Sequence, residues 1–225
     1  MPPLNHAHAV VVDAALAEAR AGTPTVLLVE GEPGSGKTTL LSQCRERAVG
    51  FAVVAVDALE PEIASAPYAT LLDLGVQLDF AHPPAAVAAR AFAQWIDEHT
   101  RWGPLLLCLD DAQWADEQSM IAIGFVLRRL DGAAVLVALG QRSGVGGLTL
   151  HELTVSGSRA HRIVLSGLSL EETSDLVRAR RPDVTQGTIL DLWQHTGGNP
   201  LYLTSLLDEL SAVELEELSD RWPVP

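Results

Sequence analysis

The chain has 225 residues, 48% of them hydrophobic and 20% charged, and a formal net charge of −14 at neutral pH. That length holds one large domain, or one domain with a smaller appendage, and the composition fits a soluble globular protein. An acidic surface repels a polyanion, which argues against direct nucleic-acid binding by this chain unless its positive charges cluster, and no apolar run approaches the roughly eighteen residues of a membrane span.

The N-terminal segment "MPPLNHAHAVVVDAALAEAR" has no basic n-region, and Asp13 breaks its apolar stretch, which argues against a signal peptide. Apolar periodicity predicts a helix over 10–21, ending near Gly22, and the continuous apolar run 26–29 predicts a buried strand. A helix over 37–49, closed by Gly50, leads to a second buried strand over 51–58. Helices are expected over 68–78 and 85–99, before "PLLLCLDD" makes a third strand. The span 116–130 reads as a helix, Asp131-Gly132 as a turn, and "AAVLVALG" as a fourth strand. "SGVGG" (143–147) reads as a flexible loop, and "RIVLSG" (162–167) as a fifth strand. Apolar strands alternating with helices indicate a parallel sheet covered on both faces, an α/β three-layer sandwich.

The pattern changes after Gly167. "LSLEETSDLVRAR" opens with Ser169 and Glu172 at capping-box spacing, and two further helices follow with no strand. This predicts an α/β domain over 1–166 and a small all-helical domain, with a C-terminal linker, over 167–225. The basic patches "LVRARRPD" and "VLRRLDG" read as helix C-termini, where cations favour the helix dipole. Cys44 and Cys108 lie far apart in hydrophobic contexts, without metal-ligand spacing, and read as buried free thiols in a reducing cytoplasm.

Gly31-Glu32-Pro33-Gly34-Ser35-Gly36-Lys37-Thr38 matches the P-loop pattern, between a predicted strand and a predicted helix. The glycines let the backbone curl so that successive N–H groups face one anion, and the following helix adds its positive dipole end. The nucleotide-binding set is therefore Glu32, Pro33, Gly34, Ser35, Gly36, Lys37, Thr38 and Thr39. Lys37 can reach the β- and γ-phosphates of ATP, or the β-phosphate of ADP, and the Thr38 hydroxyl can ligate Mg²⁺. In "PLLLCLDDAQWAD" the third strand ends in adjacent carboxylates, and a Walker B strand delivers Asp110 to the Mg²⁺ shell. Asp111 faces another way by strand alternation, which suits a general base or water-positioning group; the competing reading is a cap or turn residue. Arg142, at the end of the fourth strand, is either a γ-phosphate sensor or a solvated arginine. "HTGGNPLYLTSLL" is explained without a ligand: Gly197 or Gly198 closes one helix, Asn199 caps the next, and Pro200 occupies its first turn.

Together these residues resemble the ATPase module of the STAND class, within the AAA+-related P-loop proteins, and in particular the ATP-binding domain of large LuxR-type transcriptional regulators. The likeness rests on "GEPGSGKTTLL", "APYATLLDL", "LLLCLDDAQWAD" and "LSGLSLEET…TGGNPLYLTSLL", in that order. It implies a P-loop NTPase fold in which the Arg142 strand separates the Walker B strand from the P-loop strand. It also implies a helical lid whose Gly-Asn-Pro turn sets Pro200 against the base. The nucleotide then acts as a switch, with ADP holding a closed form and ATP permitting assembly with a protein partner or another copy. Two departures stand out. The Gly-Arg box that usually precedes the first helix is not at Leu4-Asn5, and "LSDRWPVP" resembles a linker to domains that do not follow, so the chain is either an excised module or a short protein.

Three functional readings follow. The first is a cytoplasmic regulatory switch that binds Mg·ATP and hydrolyses it slowly, with Asp111, Arg142 and Lys37 as catalytic groups. The second is a nucleotide-binding scaffold without turnover, favoured by the missing box and by aspartate where many related ATPases have glutamate. The third is a small-molecule kinase, for which the span 143–160 supplies a single arginine, Arg159.

Overall fold

In the computed structural model, which describes residues 5–58, 66–79, 83–144 and 159–219, the apolar runs become strands. These are β1 (Thr25–Gly31), β2 (Ala52–Asp57), β3 (Leu105–Asp110), β4 (Val135–Gln141) and β5 (Arg159–Leu165). They form one sheet in the order β2-β3-β4-β1-β5. The pairings of β1 with β4, β4 with β3 and β3 with β2 are parallel. β4 thus lies between β3 and β1, the order that the resemblance implies.

The chain divides into two units, Met1–Glu30 with Lys37–Val164, and Gly31–Gly36 with Leu165–Pro225. The first carries the sheet together with α1 (His6–Arg20), α2 (Lys37–Arg47), α3 (Ala69–Asp73), α4 (Ala85–Thr100) and α5 (Glu117–Leu127). Alternation sorts the strand side chains onto two faces. Val26, Leu28, Leu107 and Val137 share a core cluster with Leu71, Phe92 and Ile123 from α3, α4 and α5, while α1 and α2 contact the strands as well, α2 both β3 and β4. Every residue of β1, β3 and β4 is buried. The result is an α/β P-loop NTPase-like fold.

Two expectations change. The second strand, expected to be buried, is the sheet edge, and Val53 is 43% exposed there. An apolar run reports β-propensity, whereas a strand's neighbours are set by topology. The helix expected over 68–78 is only Ala69–Asp73. Gly75, at φ +86°, lets Val76 N–H donate to Leu71 C=O and Gly75 N–H to Leu72 C=O, at 3.0 and 2.8 Å, which is a Schellman stop. The loop expected over 143–147 lies, from 145 on, outside the described residues. So do Leu4 and the end of the expected linker, from 220 on.

The second unit contains α6 (Leu170–Arg180), α7 (Gln186–Thr196), α8 (Pro200–Glu209) and α9 (Ala212–Ser219). The Ser169–Glu172 capping box forms in both directions. Val177, Ile189, Leu192, Leu203, Leu207 and Leu215 make its core. Its basic patch is used internally. Arg178 and Arg180 lie in the last turn of α6, and the Arg181 guanidinium donates to the carbonyls of Leu207 and Leu210 at the end of α8.

Candidate functional site

The loop after β1 curls as its glycines allow. Gly34 and Gly36 have φ of +78° and +100°, the left-handed region that a side chain disfavours. Ser35 N–H closes the turn on Glu32 C=O at 3.1 Å. Ser35 Oγ is buried and has no hydrogen-bond partner among the described residues. In the second unit, to which this loop belongs, the Gly-Asn-Pro turn grips it. Asn199 Nδ2 donates to Pro33 C=O at 2.9 Å and Leu201 N–H to Gly34 C=O at 3.3 Å. A Cβ on Gly34 would lie 2.6 Å from that of Leu201. The turn is built as its residues suggest: Gly197 closes α7 in the left-handed conformation, Asn199 caps α8, and Pro200 is its first residue.

In the first unit, Lys37 opens α2 with its side chain buried, and no acidic residue occupies that first turn. Thr39 is half-buried on the same helix. Thr38 Oγ1 donates to Asp110 Oδ2 at 2.5 Å. Asp110 ends β3 and is 6% exposed, and its Oδ1 accepts from Asp111 N–H at 2.9 Å. Gly140 makes room for it, since a Cβ there would lie 2.5 Å from Asp110 Oδ1. Asp57 is the register partner of Asp110 on β2. Thr38, Asp57 and Asp110 line a cavity of about 20 Å³, room for about one water.

Asp111 lies past the strand end, at φ +48° and ψ +39°, so strand alternation does not direct its side chain. It precedes a 3₁₀ turn (Ala112–Trp114) and makes no side-chain capping bond to it. Instead Asp111 Oδ1 accepts from Gln113 Nε2 at 2.7 Å. Arg142 follows β4; its N–H donates to Gln113 Oε1 at 3.0 Å, and its guanidinium carbon lies 5.2 Å from the centre of the Trp114 ring. Nearby in the sheet, Glu30 accepts from Gln141 Nε2 at 3.0 Å and pairs with Arg162. Arg159 begins β5 and is exposed. Cys44 and Cys108 are buried free thiols; burial pushes both up to about 12, leaving them protonated and unreactive at neutral pH.

Sequence reasoning missed Gly140, Gln113 and the full role of Asp116. A glycine inside an apolar strand does signal a close approach, and here the approaching group is the Asp110 carboxylate. Asp116 caps α5 through Ser119 N–H and also accepts from Tyr68 N–H at 2.8 Å and Thr70 N–H at 3.0 Å. It thereby ties "APYATLL" to the segment carrying Asp111 and Gln113. Burial alone would raise its pKa, but the donors from Thr70, Ser119 and Tyr68 outweigh it and hold the carboxyl below its usual range. Because the folded value is depressed, the stability Asp116 contributes is present above its unfolded pKa of about 3.9 and is lost as pH falls through the folded one. Asp116→Ala is expected to cost about 2 kcal/mol, from a lost cap and stranded backbone donors. In urea titrations the gap between wild type and variant should close at the acid end of a pH 2–6 series. A gap unchanged at pH 2 contradicts this.

The residues suit Mg²⁺ and a nucleotide. Thr38 and Asp110 offer the hard oxygen donors that Mg²⁺ prefers, and the orphaned Ser35 hydroxyl and left-handed glycines make a cradle for an anion.

The model of the AAA ATPase domain family matches residues 10–138. No curated protein matches the chain. Among solved structures, the chain is similar to the Signal Transduction ATPase with Numerous Domains (STAND) protein with a tetratricopeptide repeat sensor from Pyrococcus horikoshii, at 17% identity and TM-score 0.52 over 95% of this chain. It is also similar to the Aeropyrum pernix ORC1 protein in complex with DNA, at 20% identity and TM-score 0.59 over 98% of this chain. It spans 32% of the first of those chains and 62% of the second. At these identities the likeness shows the fold. Among the described residues, no helix is long and apolar enough to cross a membrane.

Proposed function

The chain belongs to the AAA ATPase domain family, and from that premise we propose that it binds Mg·ATP, hydrolyses it slowly, and acts as a regulatory switch module like those of STAND-type and LuxR-type regulators. The observation that carries this reading is the Thr38 hydroxyl bonded to the buried Asp110 carboxylate. A hydroxyl in the helix turn that follows a phosphate loop, beside a carboxylate at a strand end, is what a magnesium–phosphate complex requires.

The loop Glu32–Gly36 and Thr39 hold the phosphates through the backbone, and Lys37 contributes its charge. Thr38 and Asp110 hold Mg²⁺, which when bound neutralises charge building on the β- and γ-phosphate oxygens. Asp111 orients a water whose oxygen bonds to the γ-phosphorus. The bridging P–O bond breaks with its electron pair leaving on ADP, and the water's proton ends on inorganic phosphate. Arg142 reads the γ-phosphate, and Pro200 packs against the base. Catalysis of this kind rests on positioning and charge stabilisation. A switch further requires that ATP and ADP favour different forms of the protein. On this reading the ATP form associates with a protein partner or a second copy in the cytoplasm, and the acidic surface does not itself engage nucleic acid.

The test is calorimetric titration of wild type and Thr38→Val with ATP, with and without Mg²⁺. Magnesium should tighten wild-type binding about tenfold or more, equivalent to about 1.4 kcal/mol, and Thr38→Val should lose that gain. An equal magnesium effect in both proteins contradicts the assignment of Thr38, and absence of ATP binding contradicts the reading as a whole.

A further inference from the structure

We infer that Gln113 is a positioning residue that joins the water-orienting carboxylate of Asp111 and the γ-phosphate-reading end of β4 into one unit. The inference rests on the roles proposed above for Asp111 and Arg142. Its basis is a bridge of defined polarity: Gln113 Nε2 donates to Asp111 Oδ1 at 2.7 Å, while Gln113 Oε1 accepts from Arg142 N–H at 3.0 Å. A side-chain amide offers both a donor and an acceptor on one rigid plane; a carboxylate in the same place offers acceptors only.

The surroundings support a positioning role. Asp111 is a non-glycine residue in the left-handed region, held there by the 3₁₀ turn through Trp114 N–H to Asp111 C=O at 2.8 Å. The turn contacts Arg142 twice, through Gln113 at its backbone and through the Trp114 ring beneath its guanidinium. One oxygen of Asp111, Oδ1, is engaged by Gln113 at 2.7 Å. A carboxylate fixed by one oxygen presents the second in a set direction, as orienting a water requires. A shift of the Arg142 backbone on reading a γ-phosphate would pull on the same amide and so would couple Asp111 to ATP and not to ADP.

The test compares Gln113→Ala and Gln113→Glu with wild type and Asp111→Asn, reading phosphate release and the calorimetric affinities for ATP and ADP. Gln113→Ala should lower kcat about tenfold or more, with KM within about threefold, because misplacement of a reacting group costs turnover more than binding. It should also narrow the preference between ATP and ADP. Gln113→Glu has the same length and keeps the acceptor for Arg142 N–H, but loses the donor to Asp111. Its kcat should fall as far, and it answers the question if Gln113→Ala does not fold. The double variant Gln113→Ala/Asp111→Asn should be no slower than Asp111→Asn alone, as expected of residues acting through one another. Wild-type kcat in Gln113→Glu, or additive losses in the double variant, would overturn the inference alone. A wild type that releases no phosphate would overturn the hydrolytic reading and this inference with it.

Discussion

Lys37→Ala is expected to abolish nucleotide-induced stabilisation while leaving the unliganded protein folded. Lys37 is 7% exposed and sits in the first turn of α2. A cation there opposes the positive end of the helix dipole unless an anion is present. The variant is read as the nucleotide-induced rise above its own unliganded melting temperature, compared with the rise in wild type. Charge-assisted hydrogen bonds contribute about 1.5–3 kcal/mol each, so losing those to two phosphates should weaken ATP binding by about a hundredfold or more. At a ligand concentration near one hundred times the wild-type Kd, binding stabilises the fold by about 2.7 kcal/mol. For a chain of this size that is a rise of about 5–10 °C, which the variant should lose. An unchanged rise in the variant would mean that the loop does not hold the phosphates.

Asp111→Asn is expected to bind Mg·ATP within about threefold of wild type and to release phosphate about a hundredfold more slowly, the usual scale for a positioned acid–base group. The substitution is nearly isosteric, and its amide oxygen still accepts from Gln113, so the loss isolates the charge and the second oxygen of the carboxylate. Aspartate is shorter than glutamate, so slow turnover is expected even in the wild type. If the variant turns over at the wild-type rate, another group orients the water.

The central strands were legible because burial on both faces leaves an unbroken apolar run, as in Leu105–Asp110 and Val135–Gln141. Local chemistry was legible too: the Ser169–Glu172 capping box and the Gly197–Pro200 turn use residues close together in sequence. What stayed hidden depends on distant partners. The exposure of β2 follows from its place at the sheet edge. The tie from Asp116 to Tyr68 and Thr70 spans nearly fifty residues, and the Gln113 bridge joins the ends of two strands. The early stop of α3 at Gly75 was readable in principle, since an αL glycine followed by a buried valine is a local signal. The conformation of Asp111 was not readable, because strand alternation holds only as far as the strand does.

The regulatory side of this account depends on differences between nucleotide states. ATP and ADP differ by one phosphate, and the residues proposed to sense it are Arg142 and, through Gln113, Asp111. The grip of Asn199 and Leu201 on the phosphate loop adds a second way for nucleotide to act, since a loop rearranged by phosphate would change what those residues hold.

The central claim is that the grip and the hydrolytic group both lie within this chain. Phosphate release from saturating Mg·ATP by the wild-type protein, with calorimetric ATP binding on the same sample, tests it most directly. The account predicts binding together with slow release that Asp111→Asn suppresses. Tight binding with no release at any protein concentration would contradict it, leaving a nucleotide-binding scaffold that does not turn over.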